Sequence, residues 1–434
     1  MTPADRIAVL SLFPITATVK GDRLYIGGCD VVELAERFDT PLYLFDELTL
    51  RGQCREFRSQ FEGRYPNTLI IYAAKAFLNR ALAQLFKEEG LGLDVVSGGE
   101  LAIARSVDFP RERVYFHGNN KTEPELAEAL DWGIGRIVVD NLQELGLLER
   151  LAADRGIRQD ILLRLSPGID PHTHRFTTTG VIDSKFGFPI PTGQAEQAVA
   201  RALASAHLNL IGLHCHLGSP IFELEPFAQA VDIMLEFASQ MAQRHGLRLQ
   251  EFSPGGGFAI QYTLDKPAPS IAQYAEVITS KLGPQVGKLV VEPGRSVVGR
   301  AGVALYRVGA IKDIPGVRRY VSVDGGMADN IRPALYGARY QALLANKAAA
   351  QGGAPVTVAG KFCESGDILI QDIELPEPCA GDIIAIPCSG AYCPAMASNY
   401  NAALKPAIIF VKEGQARLVR RRQSYDDLMA QDLV

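Results

Sequence analysis

The sequence predicts an α/β protein: a (β/α)8 barrel of the TIM type, joined to an all-β C-terminal domain that also takes in the N-terminal strand segment. Three observations carry this. Between residues 67 and 297, eight short apolar, β-rich runs alternate with amphipathic helical stretches. Alternation of that kind implies a parallel sheet, and eight units in about 230 residues suit a closed barrel better than an open sheet. After residue 297 the helical periodicity fades, and short β runs separated by turns take over.

The first forty residues read as strand and turn, with Lys20-Gly21-Asp22-Arg23 a turn between ITATV and LYIGG. The eight runs are TLIIYA (68–73), LGLDVV (91–96), RVYFHG (113–118), RIVVD (136–140), ILLRL (161–165), LIGLHCH (210–216), LQEFSP (249–254) and KLVVEP (288–293). Stretches such as TEPELAEALDWG and PFAQAVDIMLEFASQMAQRHG lie between them with helical spacing. VALYRVGAIKDI, RRYVSVDGG, PVTVAGKFC, DIIAIP, AIIFVKEG and ARLVRRR then supply the strands of the β domain. The domain boundaries expected are 1–40 for the N-terminal part of the β domain, 41–297 for the barrel and 298–434 for the C-terminal β domain.

A chain of 434 residues is long enough for two or three domains and a large core. The net charge of −5 argues against nucleic acid or an anionic membrane as a partner. No run approaches the roughly 18 apolar residues of a membrane helix. The N-terminal apolar stretch is short, is broken by Pro14 and lacks a basic leader, so a cytoplasmic protein is expected. The seven cysteines are odd in number and form no C-x-x-C, which disfavours a disulfide framework or a zinc ribbon.

In a (β/α)8 barrel, chemistry sits where strands end and loops begin. There the sequence places Lys75, Asp94, His117, Arg164, His214, His216, the triplet Gly255, Gly256 and Gly257, and Glu292. Lys75 follows an apolar strand; it is either a loop lysine or a Schiff-base lysine, whose proton apolar walls make easier to lose. The glycine triplet is either a tight turn or a loop whose N–H groups approach a phosphate, with no Cβ in the way. His214 and His216 lie on one strand face, but no third metal ligand stands nearby in sequence, so no metal is expected. An imidazole flat against a cofactor ring suits His216, and a core histidine suits His214. Glu292 either caps the next segment or pairs with a cofactor ring nitrogen, keeping it protonated as an electron sink.

The motifs YAAKAF, GLDVVSGGEL, HGNNK, KFGF, GLHCHLGS, GGGF, EPGRS, CESGD and GAYC occur in this order between residues 72 and 401. Together they resemble the series of the fold-III pyridoxal-phosphate decarboxylases, whose barrel is of the alanine-racemase type, and their wording is similar to the diaminopimelate decarboxylase family. The resemblance implies pyridoxal 5'-phosphate as cofactor, bound in the barrel, and decarboxylation of meso-2,6-diaminopimelate to L-lysine. It implies that Lys75 carries the cofactor, Asp94 supports that lysine, and His216 stacks on the ring. By the same likeness Ser219, Gly255, Gly256, Gly257 and Arg295 hold the phosphate, Glu292 meets the ring nitrogen, and Tyr392 touches cofactor and substrate. Arg295, Arg332 and Tyr336 would bind the distal carboxylate and Glu364 the distal ammonium. Cys363 would return the proton that replaces carbon dioxide. Cys363 and Glu364 would come from the other subunit, so a homodimer with shared sites is implied. Ser166 and Pro220 depart from the family pattern at positions without a chemical role.

Arginines offer forked donors that match a carboxylate, and a glutamate complements an ammonium. That pairing favours a diamino diacid over arginine, a D-amino acid or a polyamine precursor as substrate. A racemase on the same barrel would need Cys363 as a second base. A non-catalytic homologue would be expected to lack Lys75 or Cys363. The stretch 173–188 reads as a lid, since it has no clear element of its own.

Overall fold

In the computed structural model, which describes residues 8–170, 179–181 and 183–433, all eight apolar runs are strands of one closed parallel barrel. They are Thr68–Ala73, Gly92–Val95, Val114–Phe116, Arg136–Val139, Gln159–Ser166, Leu208–Cys215, Glu251–Gly255 and Lys288–Val291. Each pairs with the next, and Lys288–Val291 pairs back with Thr68–Ala73, so the barrel closes on its first strand. A short strand, Phe188–Pro189, adds to the fifth. Closure removes the exposed edges that an open sheet would carry.

The crossover helices start close behind the strand ends because capping residues stand there. Asn79, Ser97 and Asn141 each accept a backbone N–H of the first helical turn, and Thr122 forms a capping box with Glu125. Early capping keeps the loops at this rim short and fixes the side chains they carry. Inside the barrel, Ile71, Tyr115, Val138, Leu162, Ile211 and Val290 pack into one apolar layer.

The opposite mouth is closed by charge. Glu251 is buried and receives Arg136 Nη2 at 3.0 Å, Lys288 Nζ at 3.0 Å and the Tyr115 hydroxyl at 2.9 Å. Burial alone would raise the Glu251 carboxyl, but the hydrogen bonds and charges of Arg136 and Lys288 outweigh it and hold it below the usual glutamate range.

A second compact unit gathers the chain up to Gln53, the segment Ile260–Pro267 and everything from Arg295 onward. Its main sheet runs in the order Ile368–Leu375, Ala354–Ala359, Arg318–Val323, Gly302–Ile314, Leu42–Asp46, Ala407–Lys412 and Gln415–Arg420. The long strand Gly302–Ile314 serves two neighbourhoods: its first half pairs with Leu42–Asp46 and Ile383–Ile386, its second with Arg318–Val323. The N-terminal hairpin Thr18–Lys20 and Arg23–Ile26 forms around the expected turn. Leu24, Ile26, Val31 and Leu34 share a core with Leu44, Val303, Leu305, Ile383 and Ile409, so the N-terminal segment belongs to the β unit.

All seven cysteines are free, and five are buried; Cys363 and Cys379 are exposed. Among the described residues no helix is long and apolar enough to cross a membrane. Of the stretch expected to form a lid, residues 173–178 and 182 lie outside the described residues.

Glu251→Gln is expected to lower stability by about 3 kcal/mol, because two cations lose their buried partner. Denaturant midpoints of the two proteins across pH check this. A depressed folded pKa means that Glu251 contributes fully above the ordinary value near pH 4.3 and loses that contribution as pH falls through the folded value. The gap between the proteins should therefore close in acid.

Candidate active site

The strand ends of the barrel surround a cavity of about 340 Å³, lined by Lys75, Asp94, His117, Arg164, His214, His216 and Glu292 among others. These residues come from the first, second, third, fifth, sixth and eighth strands or the turns that follow them. Lys75 sits in the one-turn helix Ala74–Ala76 directly after the first strand. Its neighbours Ala73, Ala74, Ala76 and Phe77 are buried, while Lys75 itself is exposed. The Ala73 N–H donates to the Pro293 carbonyl at 3.0 Å, and a Cβ on Gly294 would stand 3.1 Å from that of Ala73. The EPGR loop thus packs against the turn that carries the lysine.

Glu292 is the electrostatic centre of this cavity. His214 Nε2 lies 3.1 Å from its Oε2, and the Ser253 hydroxyl donates to Oε1 at 2.8 Å. His117 Nε2 stands 3.6 Å from Glu292 Oε1 and 3.8 Å from Asp94 Oδ1. Burial would raise the Glu292 carboxyl, but the neighbouring His214 and His117, with the hydrogen bond from His214, hold it well below the usual range. Burial and the nearby Glu292 charge push Asp94 well above its usual value. Burial likewise pushes His117 and His216 well below the usual histidine value. The cavity therefore sets a carboxyl held low, Glu292, beside one pushed high, Asp94. His117 Nε2 and Asp94 Oδ1 are buried without a hydrogen-bond partner, which leaves polar capacity for a ligand.

His117, His214 and Glu292 also offer three donor atoms within 4.8 Å of one another, a set that could hold a metal ion. The sequence hid this set because His117 and Glu292 follow different strands from His214, and His216, the partner weighed from sequence, is not part of it. Glu292 is, however, the carboxylate that the family resemblance assigns to a ring nitrogen.

The glycine triplet is needed by backbone proximity. A Cβ on Gly256 would stand 2.0 Å from the Glu292 carbonyl, and one on Gly257 would stand 2.3 Å from that of Gly218. Gly255 and Gly257 also hold φ of +79° and +107°, values that side chains disfavour. The Gly255 N–H donates to Ser253 Oγ, and the Gly256 N–H to His216 Nδ1 at 3.3 Å. That second bond fixes the His216 ring and places its proton on Nε2. The Ile221 N–H donates to Gly257 O, so the Ser219 loop and the triplet are knit together.

Two further motifs prove to be supports. In KFGF, the Phe186 ring lies 4.3 Å from the Arg164 guanidinium, and the Gly187 N–H donates to Asp140 Oδ1 at 2.8 Å. In HGNNK, the buried Lys121 reaches the carbonyls of Gly118 and Val138 and the Glu144 carboxylate, each at 2.8 Å. Burial outweighs that pairing on both sides: it lowers Lys121 and raises Glu144 to about 7.

The other expected residues lie in the β unit. Arg295 and Arg332 are both buried. Arg295 Nη1 donates to the Tyr262 hydroxyl at 2.7 Å, and its guanidinium lies 4.7 Å from the Tyr392 ring. Tyr392 holds φ of +63°, a strained conformation for a bulky residue that costs on the order of 1–3 kcal/mol. Arg332 lies 4.7 Å from the Tyr262 ring and 5.4 Å from that of Tyr340, and it donates to the Tyr340 hydroxyl. Burial would lower the Arg332 pKa, yet its surroundings raise it, so it stays cationic. Tyr336 is half-buried in the short helix Arg332–Tyr336.

Cys363 and Glu364 occupy an exposed loop of the β unit. The loop is nevertheless fixed. The buried Asp367 accepts the Met327 N–H at 2.6 Å and the Phe362 N–H at 2.8 Å. The Cys363 N–H donates to Asn401 Oδ1 at 3.1 Å. Sequence reasoning missed Tyr262, Tyr340 and the part His117 plays beside Glu292; no local motif marks these long-range neighbours.

A lysine at the mouth of a parallel barrel, beside a buried carboxylate and a glycine loop, defines the class of pyridoxal-phosphate-binding barrel enzymes. Residues 49–299 match the pyridoxal binding domain of the pyridoxal-dependent decarboxylases. The diaminopimelate decarboxylase of Bacillus subtilis (strain 168) is 46% identical over 417 residues, covering 94% of this chain and 95% of its own. The structure of diaminopimelate decarboxylase from M. jannaschii in co-complex with L-lysine superposes with a TM-score of 0.92 at 34% identity, covering 97% of this chain and 98% of that one. The lysine/ornithine decarboxylase of Vibrio vulnificus, complexed with putrescine, is more distant, with a TM-score of 0.75 at 25% identity over 88% of this chain and 98% of that one. The chain belongs to the diaminopimelate decarboxylase family. Its cofactor is pyridoxal 5'-phosphate, and the orphaned polar atoms and glycine loop of the cavity fit that group.

Gly256→Ala is expected to drive the loop off the Glu292 backbone and weaken cofactor retention by at least about tenfold, since the added Cβ meets main chain that cannot move aside. Titration of the apoprotein with pyridoxal 5'-phosphate, followed by visible absorbance, checks this.

Proposed function

We propose that this protein decarboxylates meso-2,6-diaminopimelate to L-lysine and carbon dioxide, the last step of lysine biosynthesis. The observation that carries the choice of substrate is Arg332. It is 5% exposed, and among the described residues no carboxylate pairs with it. An unpaired buried cation is costly unless an anion arrives with the ligand. A substrate with a second carboxylate supplies one, and diaminopimelate also brings a distal ammonium for Glu364. The 46% identity to the Bacillus subtilis enzyme supports the same reading.

When bound, the cofactor supplies a conjugated cationic ring that spreads the electron pair left at Cα as carbon dioxide departs. Lys75 would hold it, with Asp94 supporting that lysine and His216 stacking on the ring. Glu292 would pair with the ring nitrogen and stabilise its positive charge. Gly255, Gly256, Gly257, Ser219 and Arg295 would hold the phosphate. Arg295, Arg332 and Tyr336 orient the distal carboxylate, with Tyr392 against cofactor and substrate. Cys363 gives its Sγ proton to Cα in place of the departed carboxyl group, and the thiolate then takes a proton from water.

Cys363 and Glu364 work on the site of the second subunit in a homodimer. Support comes from their place on an exposed loop.

Carbon dioxide release from meso-diaminopimelate is the direct test, run beside L-lysine, L-ornithine, L-arginine and D-lysine. Strong preference for diaminopimelate, with L-lysine as product, is expected. Turnover of a different substrate would leave the fold and cofactor standing and overturn the roles of Arg332, Tyr336 and Glu364. Lys75→Ala should abolish turnover and the visible absorbance of the bound cofactor. Cys363→Ala should keep the absorbance and lose at least about a hundredfold in kcat, as expected for a lost proton donor. Mixing the two variants should recover part of the activity through dimers with one intact shared site. No recovery despite demonstrated subunit exchange would count against the shared site.

A further inference from the structure

We propose that Tyr262 is a positioning residue that sets the spacing of Arg295 and Arg332, and through them the enzyme's selectivity for a substrate with a distal carboxylate. The inference rests on the reading of those two arginines given above and concerns how the chain holds them.

Tyr262 touches both guanidinium groups, each in a different way. Its hydroxyl accepts from Arg295 Nη1 at 2.7 Å, while its ring carries the Arg332 guanidinium at 4.7 Å. Tyr340 closes the arrangement: its hydroxyl accepts from Arg332, and its ring meets that of Tyr262 edge-on, at 5.5 Å and 88°. Tyr262 lies in Ile260–Pro267, the piece of the chain between Cys54 and Gly294 that belongs to the β unit, so that segment brings the phenol to the arginines.

The chemistry explains why a phenol serves here. Two like charges held close repel, and the repulsion grows as water is excluded. A carboxylate between them would remove the repulsion, but it would also occupy the forks that a substrate carboxylate must fill. A neutral tyrosine gives one arginine a hydrogen-bond acceptor and the other a π-face, and it neutralises neither. Both cations stay oriented, and Arg332 keeps its charge for an incoming anion.

Tyr262→Phe separates the two contacts, since it removes the hydroxyl that orders Arg295 and keeps the ring under Arg332. The holoenzyme variant should show a KM for meso-diaminopimelate raised about tenfold, with kcat changed less than about twofold, as fits loss of one hydrogen bond to a charged group. Inhibition by L-lysine, which retains the distal carboxylate, should weaken by the same factor. Inhibition by cadaverine, which lacks it, should be unchanged. An unaltered KM, or equal weakening of both inhibitors, would overturn the proposal. Tyr262→Leu removes the ring as well and should raise KM further; if it fails to fold, the phenylalanine variant still decides. Arg332→Lys separates this inference from the reading beneath it. If that variant leaves KM and L-lysine inhibition unchanged, the carboxylate assignment falls. If it raises KM and weakens L-lysine inhibition while Tyr262→Phe does neither, only the role of Tyr262 falls.

Discussion

The arrangement around Lys75 depends on one constraint: a carboxylate kept ionised inside a barrel mouth. Burying Glu292 works against its charge, and only an organised set of neighbours reverses that balance. His214 from the sixth strand and Ser253 from the seventh occupy its two oxygens, while His117 from the third stands close by. Burial, and then the same charge, push Asp94 up while Glu292 is held down, so the two carboxyls of one site shift in opposite directions. The glycine triplet follows from this constraint too. Gly256 presses on the Glu292 backbone so closely that only hydrogen fits, and its N–H turns the His216 ring. Barrel closure is therefore part of the chemistry, because the eighth strand must return beside the first to put Glu292 and Lys75 at one mouth.

The β unit meets the opposite problem with the opposite charge. Arg332 is buried without a carboxylate partner among the described residues, and tyrosine rings and hydroxyls hold it in place. The barrel thus keeps an anion suited to a cationic ring, and the β unit keeps cations suited to an anionic substrate end. The EPGR motif carries both, since only Pro293 and Gly294 separate Glu292 from Arg295. A decarboxylase for a diamino diacid needs this division. It must stabilise charge at the carbon that loses carbon dioxide while it recognises an unreacting carboxylate elsewhere on the same molecule.

Much of this was legible in the sequence, for physical reasons that differ by element. The eight strands were legible because barrel strands are buried on both faces and read as continuous apolar runs. The rim residues were legible because polar and glycine-rich residues collect where the barrel strands end and the loops begin. The partnership of His117 with Glu292 was not legible, since it joins residues 175 positions apart through closure of the barrel. Tyr262 and Tyr340 were hidden for a related reason. An aromatic residue in a loop reads as core filling until the fold places a guanidinium on its ring. The metal question shows the same limit: a search of neighbouring sequence found no third ligand, while the fold sets His117 and Glu292 beside His214.

The Cys363 loop gives the last step of the argument. The proposed proton donor must be held in place, yet Cys363 is exposed. A loop that merely covered its own surface would have no need of a buried aspartate. Asp367 nevertheless grips Phe362 on one side and Met327 on the other, and its N–H donates to the Glu364 carbonyl. Asn401, itself at φ of +50°, accepts the Cys363 N–H. Gly326 and Gly360 lie so near the Asp367 carboxylate that a Cβ on either would approach it within 2.4 Å. Rigidity together with exposure is what a loop needs if its target belongs to another molecule. In the proposed shared site the free subunit would already hold the thiol and the carboxylate in working geometry, because ordering them on association would weaken assembly. This is why the proposed shared site calls for a preformed loop.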